Sequence, residues 1–216
     1  MDADREKQLA ADAAAELVEG GMRVGLGTGS TVAHLLTTLA RRAPDAVYVA
    51  TSPRTEQAAR GLGLLVEPFE QLDRLDLAID GADQVAPDGW LIKGGGGAHT
   101  REKVVIAASD AFIVIVDSSK LVDALAAPVP LELLAFGVRA TLRRLDVATL
   151  RNAPRTPDGG VLADWQGTLL DPGALATYLS GMPGVVEHGL VPPDAVTRVL
   201  VGRGDSTMSV SPGGAS

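Results

Sequence analysis

The chain has 216 residues, enough for one large domain or a domain with a smaller appendage, and 46 % of them are apolar although only seven are aromatic. A formal charge of −8 argues against nonspecific nucleic-acid binding but leaves room for a locally positive pocket that takes an anionic small molecule. No apolar run approaches the ~18–20 residues of a membrane span, the charged start lacks a signal-peptide core, and the absence of cysteine excludes disulfides, thiolate zinc sites and a thiol nucleophile, so the expected location is cytoplasmic.

Residues 5–19 read as a helix with Leu9, Ala13 and Leu17 on one face, ended by Gly20-Gly21. A strand over 22–26 runs into a glycine turn at 25–31, and a helix over 32–42 stops before Pro44. Next come a buried strand at 46–50, a helix at 54–62, and strands at 63–66 and 75–80. A short extended piece at 90–93 feeds four glycines and a helix over 100–109, and 111–116 is the most β-like run in the chain. This alternation predicts an α/β fold, an open and largely parallel sheet with helices on both faces. The pattern changes after Lys120. Pro128 and Pro130 bracket a crossing, 137–146 is a helix, and the turn 157–160 joins two short strands as a hairpin. Asp171 caps a helix over 171–180 with Pro172 at its first position, and 184–190 and 197–201 are strands. Residues 127–198 therefore read as a small α+β subdomain, with 1–126 and 199–216 as the main domain and the tail from Gly202 loose.

The turn 25–31 lies between a strand and a helix, where backbone N–H groups and the positive end of the helix dipole suit an anion. Thr28, Ser30 and Thr31 add hydroxyls around Gly29. No Gly-Lys-Ser/Thr follows, and Val32 stands where a dinucleotide fingerprint has its third glycine, so nucleotide cofactors are disfavoured. A tight turn with a Ser/Thr cap is the plainer alternative. Asp80 and Asp83 flank Gly81-Ala82 where an apolar strand stops, and both can face the crevice at the carboxyl ends of a parallel sheet. An Asx-turn is the alternative there. Lys93 is followed by Gly94, Gly95, Gly96 and Gly97, a run that lets backbone approach a ligand; a flexible linker does not fit between a buried strand and a helix. Glu102, in the first turns of that helix, either faces the crevice or complements the dipole. The chain uses fifteen arginines but four lysines, Lys7, Lys93, Lys103 and Lys120, a bias that points to lysine where a compact ammonium is wanted. His34, His99 and His188 are far apart and have no metal-site spacing.

Taken together, the segments GTGST (27–31), DGAD (80–83), KGGGGAHTREK (93–103) and DSSKLV (117–122) resemble the type A ribose-5-phosphate isomerase family, and PVPLEL (128–133) and GVVEHGL (184–190) extend the likeness over nearly the whole chain. The resemblance implies a main domain of the NagB/isomerase/CoA-transferase type, a ferredoxin-like subdomain and a homodimer or homotetramer. It implies interconversion of ribose 5-phosphate and ribulose 5-phosphate through an enediolate; no cofactor is expected, and the scattered histidines disfavour a metal-dependent hydride shift. Glu102 would be the base at carbon, Asp80 and Asp83 would orient hydroxyls, and Lys93 would face the developing oxyanion. Thr28, Gly29, Ser30, Thr31, Lys120 and Lys7 would hold the phosphate, with Gly81, Ala82, Gly94, Gly95 and Gly96 lining the sugar. Gln84 replaces an acid common after DGAD, and His99 stands where an aliphatic residue is frequent.

Two rivals remain. A sugar-phosphate sensor of the same fold would be expected to carry a DNA-binding helix-turn-helix ahead of a first strand that here begins by residue 22. A CoA transferase would need a CoA-binding apparatus that the sequence does not display.

Overall fold

The computed structural model describes residues 2–211. In chain order the elements are α1 (Ala3–Ala15), β1 (Arg23–Leu26), α2 (Ser30–Arg42), β2 (Val47–Ala50), α3 (Pro53–Gly61), β3 (Leu77–Asp80), β4 (Gln84–Val85), β5 (Leu91–Ile92), α4 (His99–Ala107) and β6 (Phe112–Asp117). The chain continues through β7 (Val129–Leu133), α5 (Val138–Leu145), β8 (Ala148–Leu150), β9 (Val161–Trp165), α6 (Pro172–Ser180), β10 (Val185–His188), β11 (Leu190–Val191), β12 (Arg198–Arg203) and β13 (Ser206–Val210).

Six strands form the main sheet in the order β13-β12-β6-β3-β1-β2, parallel except for β13. Alternation along its strands feeds two cores. Ile113 and Ile115 of β6, with Leu77 and Ile79 of β3, pack under α1 and α2, whereas Phe112, Val114 and Val116 pack with Val105 and Ile106 of α4. A strand buried on both faces reads as an unbroken apolar run, which is why β6 was so legible.

Residues 129–188 form a second sheet, ordered β10-β7-β9-β8 and wholly antiparallel. Its β-α-β-β-α-β succession is the ferredoxin-like arrangement. A third sheet, β11-β5-β4, joins the two regions by pairing Leu190 with Ile92.

The structure corrects several expectations. The fully buried side of α1 is Ala10, Ala11, Ala14 and Ala15, because small side chains let α1 lie close on both β12 and α2, while Ala13 and Leu17 of the expected face pack only partly buried against the same core. Residues 63–66 contribute a single bridge, Tyr48 to Val66, in place of a strand. Pro130 lies inside β7 instead of bounding a crossing. Its carbonyl accepts from Gly189 N–H at 2.7 Å, so its ring nitrogen faces the same side, beyond the last pair His188–Leu131 where no donor is needed. The stretch 184–190 divides between β10 and β11. The chain from Gly202 is not loose through residue 210: Arg203 pairs with Ser206 across Gly204-Asp205 to close a hairpin. A two-residue Gly-Asp connection is a recognised hairpin signal. Residues 212–216 of that tail lie outside the described residues. Among the described residues no helix is long and apolar enough to cross a membrane.

Candidate active site

Parallel pairing brings the carboxyl ends of β1, β3 and β6 to one edge, so the turns at 27–29, 81–83 and 118–120 converge. A cleft of about 160 Å³ opens there. Every residue expected at the site lines it except Asp80: Thr28, Gly29, Ser30 and Thr31 from the first turn, Gly81, Ala82 and Asp83 from the second, Lys93 with Gly94 to Gly96 and Glu102, and Lys7 and Lys120.

The first glycine turn is shaped by Asp80. This carboxylate, 3 % exposed, accepts from Thr28 N–H at 3.1 Å and from Gly81 N–H at 2.7 Å. A Cβ on Gly27 would fall 1.8 Å from its carboxyl carbon, so only glycine lets the turn lie over Asp80. Gly29 then supplies no side-chain cap to α2, whose first N–H groups are left to face the cleft. The hydroxyl of Thr28 is directed to Thr51, Ser52 and Thr55 at 2.9–3.2 Å. The N–H and hydroxyl of Thr28 are thus both engaged within the protein, while Ser30 and Thr31 remain as hydroxyl donors. Sequence reasoning overlooked this hydroxyl group, although Ser52 with Thr55 after a strand is a cap signature.

At the centre, Lys93 Nζ lies 2.7 Å from Asp80 Oδ2, 2.6 Å from the Gly81 carbonyl and 3.2 Å from Glu102 Oε2, all nearly excluded from solvent. Burial alone would lower the Lys93 pKa, but Asp80 and Glu102 together hold it above its ordinary value. Glu102 moves upward: burial raises its pKa, the Asp80 charge adds to that, and Lys93 opposes both. The result is a partly neutralised triad in which Glu102 is a strengthened base that opens to the cleft. Asp80, turned inward, fixes Lys93 and the first glycine turn. Asp83 is exposed, and its Oδ2 accepts from Gly95 N–H at 2.7 Å.

The basic end is assembled by Glu6. Its buried carboxylate accepts from Ser118 N–H at 2.9 Å, Ser118 Oγ at 2.6 Å and Gly204 N–H at 2.9 Å, and these bonds, led by the Ser118 hydroxyl, bring its pKa down to about 2. Glu6 thus ties α1 to the turn at 118–120, and Lys7 of α1 and Lys120 of that turn both line the cleft. Lys103, in contrast, points away from the cleft and pairs with Glu187 at 2.7 Å.

His99, at the start of α4, is 0 % exposed, and neither ring nitrogen has a hydrogen-bond partner. Its ring packs against Gly94, whose φ of 103° is open to glycine and which has no room for a Cβ. Burial pulls the His99 pKa down to about 4, opposed in part by the Glu187 backbone and charge. The unfolded chain therefore binds more protons between about pH 6.5 and 4, and stability from this group is lost as pH falls through that window. His99→Leu is expected to raise stability by about 1–3 kcal/mol at neutral pH by removing two unpaired buried polar atoms. It should also flatten the acid loss. Urea unfolding at several pH values measures both, and a less stable variant would show that the ring nitrogens are satisfied in solution.

The model of the family described as ribose 5-phosphate isomerase A (phosphoriboisomerase A) matches residues 47–206. The ribose-5-phosphate isomerase A of Rhodopseudomonas palustris (strain TIE-1) is 44 % identical over 94 % of this chain and 96 % of its own. Among solved structures, ribose 5-phosphate isomerase A from Neisseria gonorrhoeae superposes with a TM-score of 0.92 at 30 % identity, covering 97 % of each chain. A D-ribose-5-phosphate isomerase in complex with phospho-erythronic acid also gives 0.92, at 33 % identity over 98 % of this chain and 100 % of the other.

Proposed function

The chain belongs to the ribose 5-phosphate isomerase A family, and from that premise we propose how its own residues interconvert ribose 5-phosphate and ribulose 5-phosphate. The observation that carries the reading is a buried carboxylate of raised pKa, Glu102, beside a buried ammonium in a cleft that two further lysines also line.

Lys7, Lys120 and the open N-terminus of α2 hold the phosphate. Ring opening leaves a carbonyl at C1, and Glu102 removes the proton from C2. The electron pair moves toward the carbonyl oxygen and forms the enediolate. All three Lys93 protons have partners at rest, and the contact to Glu102 is the longest of the three. When Glu102 accepts the carbon proton it loses its charge, and the Lys93 donor it held turns to the new oxyanion. Negative charge thus passes from Glu102 to substrate beside a fixed positive one. Asp83, exposed at the cleft wall, orients a hydroxyl and carries its proton between oxygens. Glu102 then returns its proton to C1. Asp80 touches no reacting atom in this scheme and acts as a positioning residue.

The scheme uses Lys93 where a metal-dependent isomerase uses a cation, so turnover is expected to survive dialysis against EDTA. Purified protein with ribose 5-phosphate, followed by ketose formation before and after chelation, tests both points. No ketose from folded protein overturns the function, and activity restored by one divalent ion overturns the role given to Lys93. Lys120→Ala is expected to raise KM about tenfold or more with little change in kcat, in line with a charge-assisted contact of about 1.5–3 kcal/mol. An unchanged KM would place the phosphate elsewhere. The same reading divides the chain into a catalytic domain, 1–126 with 199–216, and a small subdomain, 127–198. It also takes the protein as a homodimer or homotetramer, which light scattering measures.

A further inference from the structure

The second glycine run is held from outside the cleft by two residues the chemistry above does not use. Arg151, directly after β8, makes a two-pronged ion pair with Asp164 of β9, Nε to Oδ2 at 2.9 Å and Nη2 to Oδ1 at 2.6 Å. Both side chains are about four-fifths buried, at 18 % and 20 % exposure. A guanidinium whose fork is fixed in this way has its remaining nitrogen aimed in one direction. Here Nη1 donates to the carbonyls of Gly94 at 2.9 Å and Gly95 at 3.2 Å.

From the cleft side, Asp83 Oδ2 accepts from Gly95 N–H. The Gly94–Gly95 peptide is therefore held at its oxygen by Arg151 and at its nitrogen by Asp83. A trans peptide sets the next N–H, that of Gly96, opposite the Gly95 carbonyl and hence away from Arg151. Gly96 lines the cleft, and its N–H has no partner among the backbone and side-chain hydrogen bonds of the described residues. A glycine run has many other conformations open to it, so its geometry depends on what grips it.

We propose that Arg151 and Asp164 are a positioning pair for the isomerisation, holding the Gly94–Gly96 peptides so that Gly96 N–H donates to the oxyanion that develops beside Lys93. This rests on the isomerase reading. Polarisation of the two carbonyls by the guanidinium strengthens the attached N–H groups as donors. Arg151 grips the carbonyls that directly follow Lys93 and does not itself line the cleft, so the pair is placed to act through the glycine run beside the reacting end of the sugar and not as a ligand of its phosphate.

The test compares the parent with Arg151→Ala, Asp164→Asn and the double variant. Arg151→Ala is expected to lower kcat by about 10²-fold, the effect of losing one oxyanion donor, with KM and inhibition by inorganic phosphate within about threefold of the parent. The double variant should lie within about threefold of the single one, because both substitutions release the same peptides. Amide hydrogen exchange should quicken about tenfold or more over 93–98 and stay unchanged over 27–32. A purely structural tie predicts a different pattern, with phosphate inhibition weakening in step with kcat. That pattern overturns the proposal, as does parent-like kcat or parent-like exchange over 93–98. Should Arg151→Ala fail to fold, Asp164→Asn, which keeps the arginine and the size of its partner, is read by the same measures. If the parent itself makes no ketose, the isomerase reading falls, and exchange over 93–98 alone decides whether the pair holds the glycine run.

Discussion

Lys93→Ala is expected to lower kcat by about 10²- to 10³-fold while KM for the sugar phosphate moves only a few-fold. The reason is where its charge acts. Lys93 is 3 % exposed, and the contacts of its ammonium are to Asp80, the Gly81 carbonyl and Glu102, the proposed base. Ground-state binding draws on Lys7, Lys120 and α2, so the loss falls on the step in which oxyanion charge appears. A second readout has a definite sign. Lys93 is the group that restrains the upward shift of Glu102, so its removal sends the Glu102 pKa higher still. The acid limb of the kcat/KM profile should then move to higher pH. A four-carbon phosphorylated acid, whose carboxylate imitates the enediolate, should bind the parent more tightly than substrate does and lose that advantage in the variant. A raised KM with kcat intact would instead assign Lys93 to the phosphate.

How much of this was readable from sequence depends on the range of the forces involved. The turns at 27–31, 80–83 and 93–97 were legible because parallel strands deliver their carboxyl ends to one edge, and because consecutive glycines have few other uses in a packed domain. The placement of Glu102 followed from a helix that starts directly after one of those turns. What was not legible depends on contacts between distant segments. Asp80 and Asp83 look equivalent in the chain, but the Cβ-free surface of Gly27 draws Asp80 inward while Asp83 stays exposed. Lys103 lies next to Glu102, and only the arrival of β10 decides that it pairs with Glu187. Arg151 lies 56 residues from Gly95 and belongs to a different sheet, so no local spacing marks it. Pro130 misled because proline in a strand is tolerated only where the neighbouring strand has already ended, and that is a fact of register.

Glu102→Gln should have the largest effect of all: a fall in kcat of about 10²- to 10⁴-fold with the fold intact. Glutamine keeps the length and one acceptor of the side chain, so the Lys93–Asp80 pair keeps its place, but it cannot take a proton from carbon. Stability provides an internal control whose sign follows from the shift. Glu102 has a raised pKa in the folded state, so the native protein holds a proton there that the unfolded chain releases at lower pH. Its contribution is fully present below the ordinary carboxylate pKa and is lost as pH rises through the folded value. Removing the carboxyl removes that loss, so the variant should be at least as stable as the parent in mildly alkaline buffer. Solvent isotope then separates the chemistry from the binding. Because the carbon-bound proton passes through this carboxylate, the parent in deuterium oxide should wash label into substrate or product, and the variant should lose that exchange in step with turnover. A folded Glu102→Gln protein that keeps both exchange and turnover would remove Glu102 from the reaction. Asp83, the other carboxylate open to the cleft, would then be the base to test.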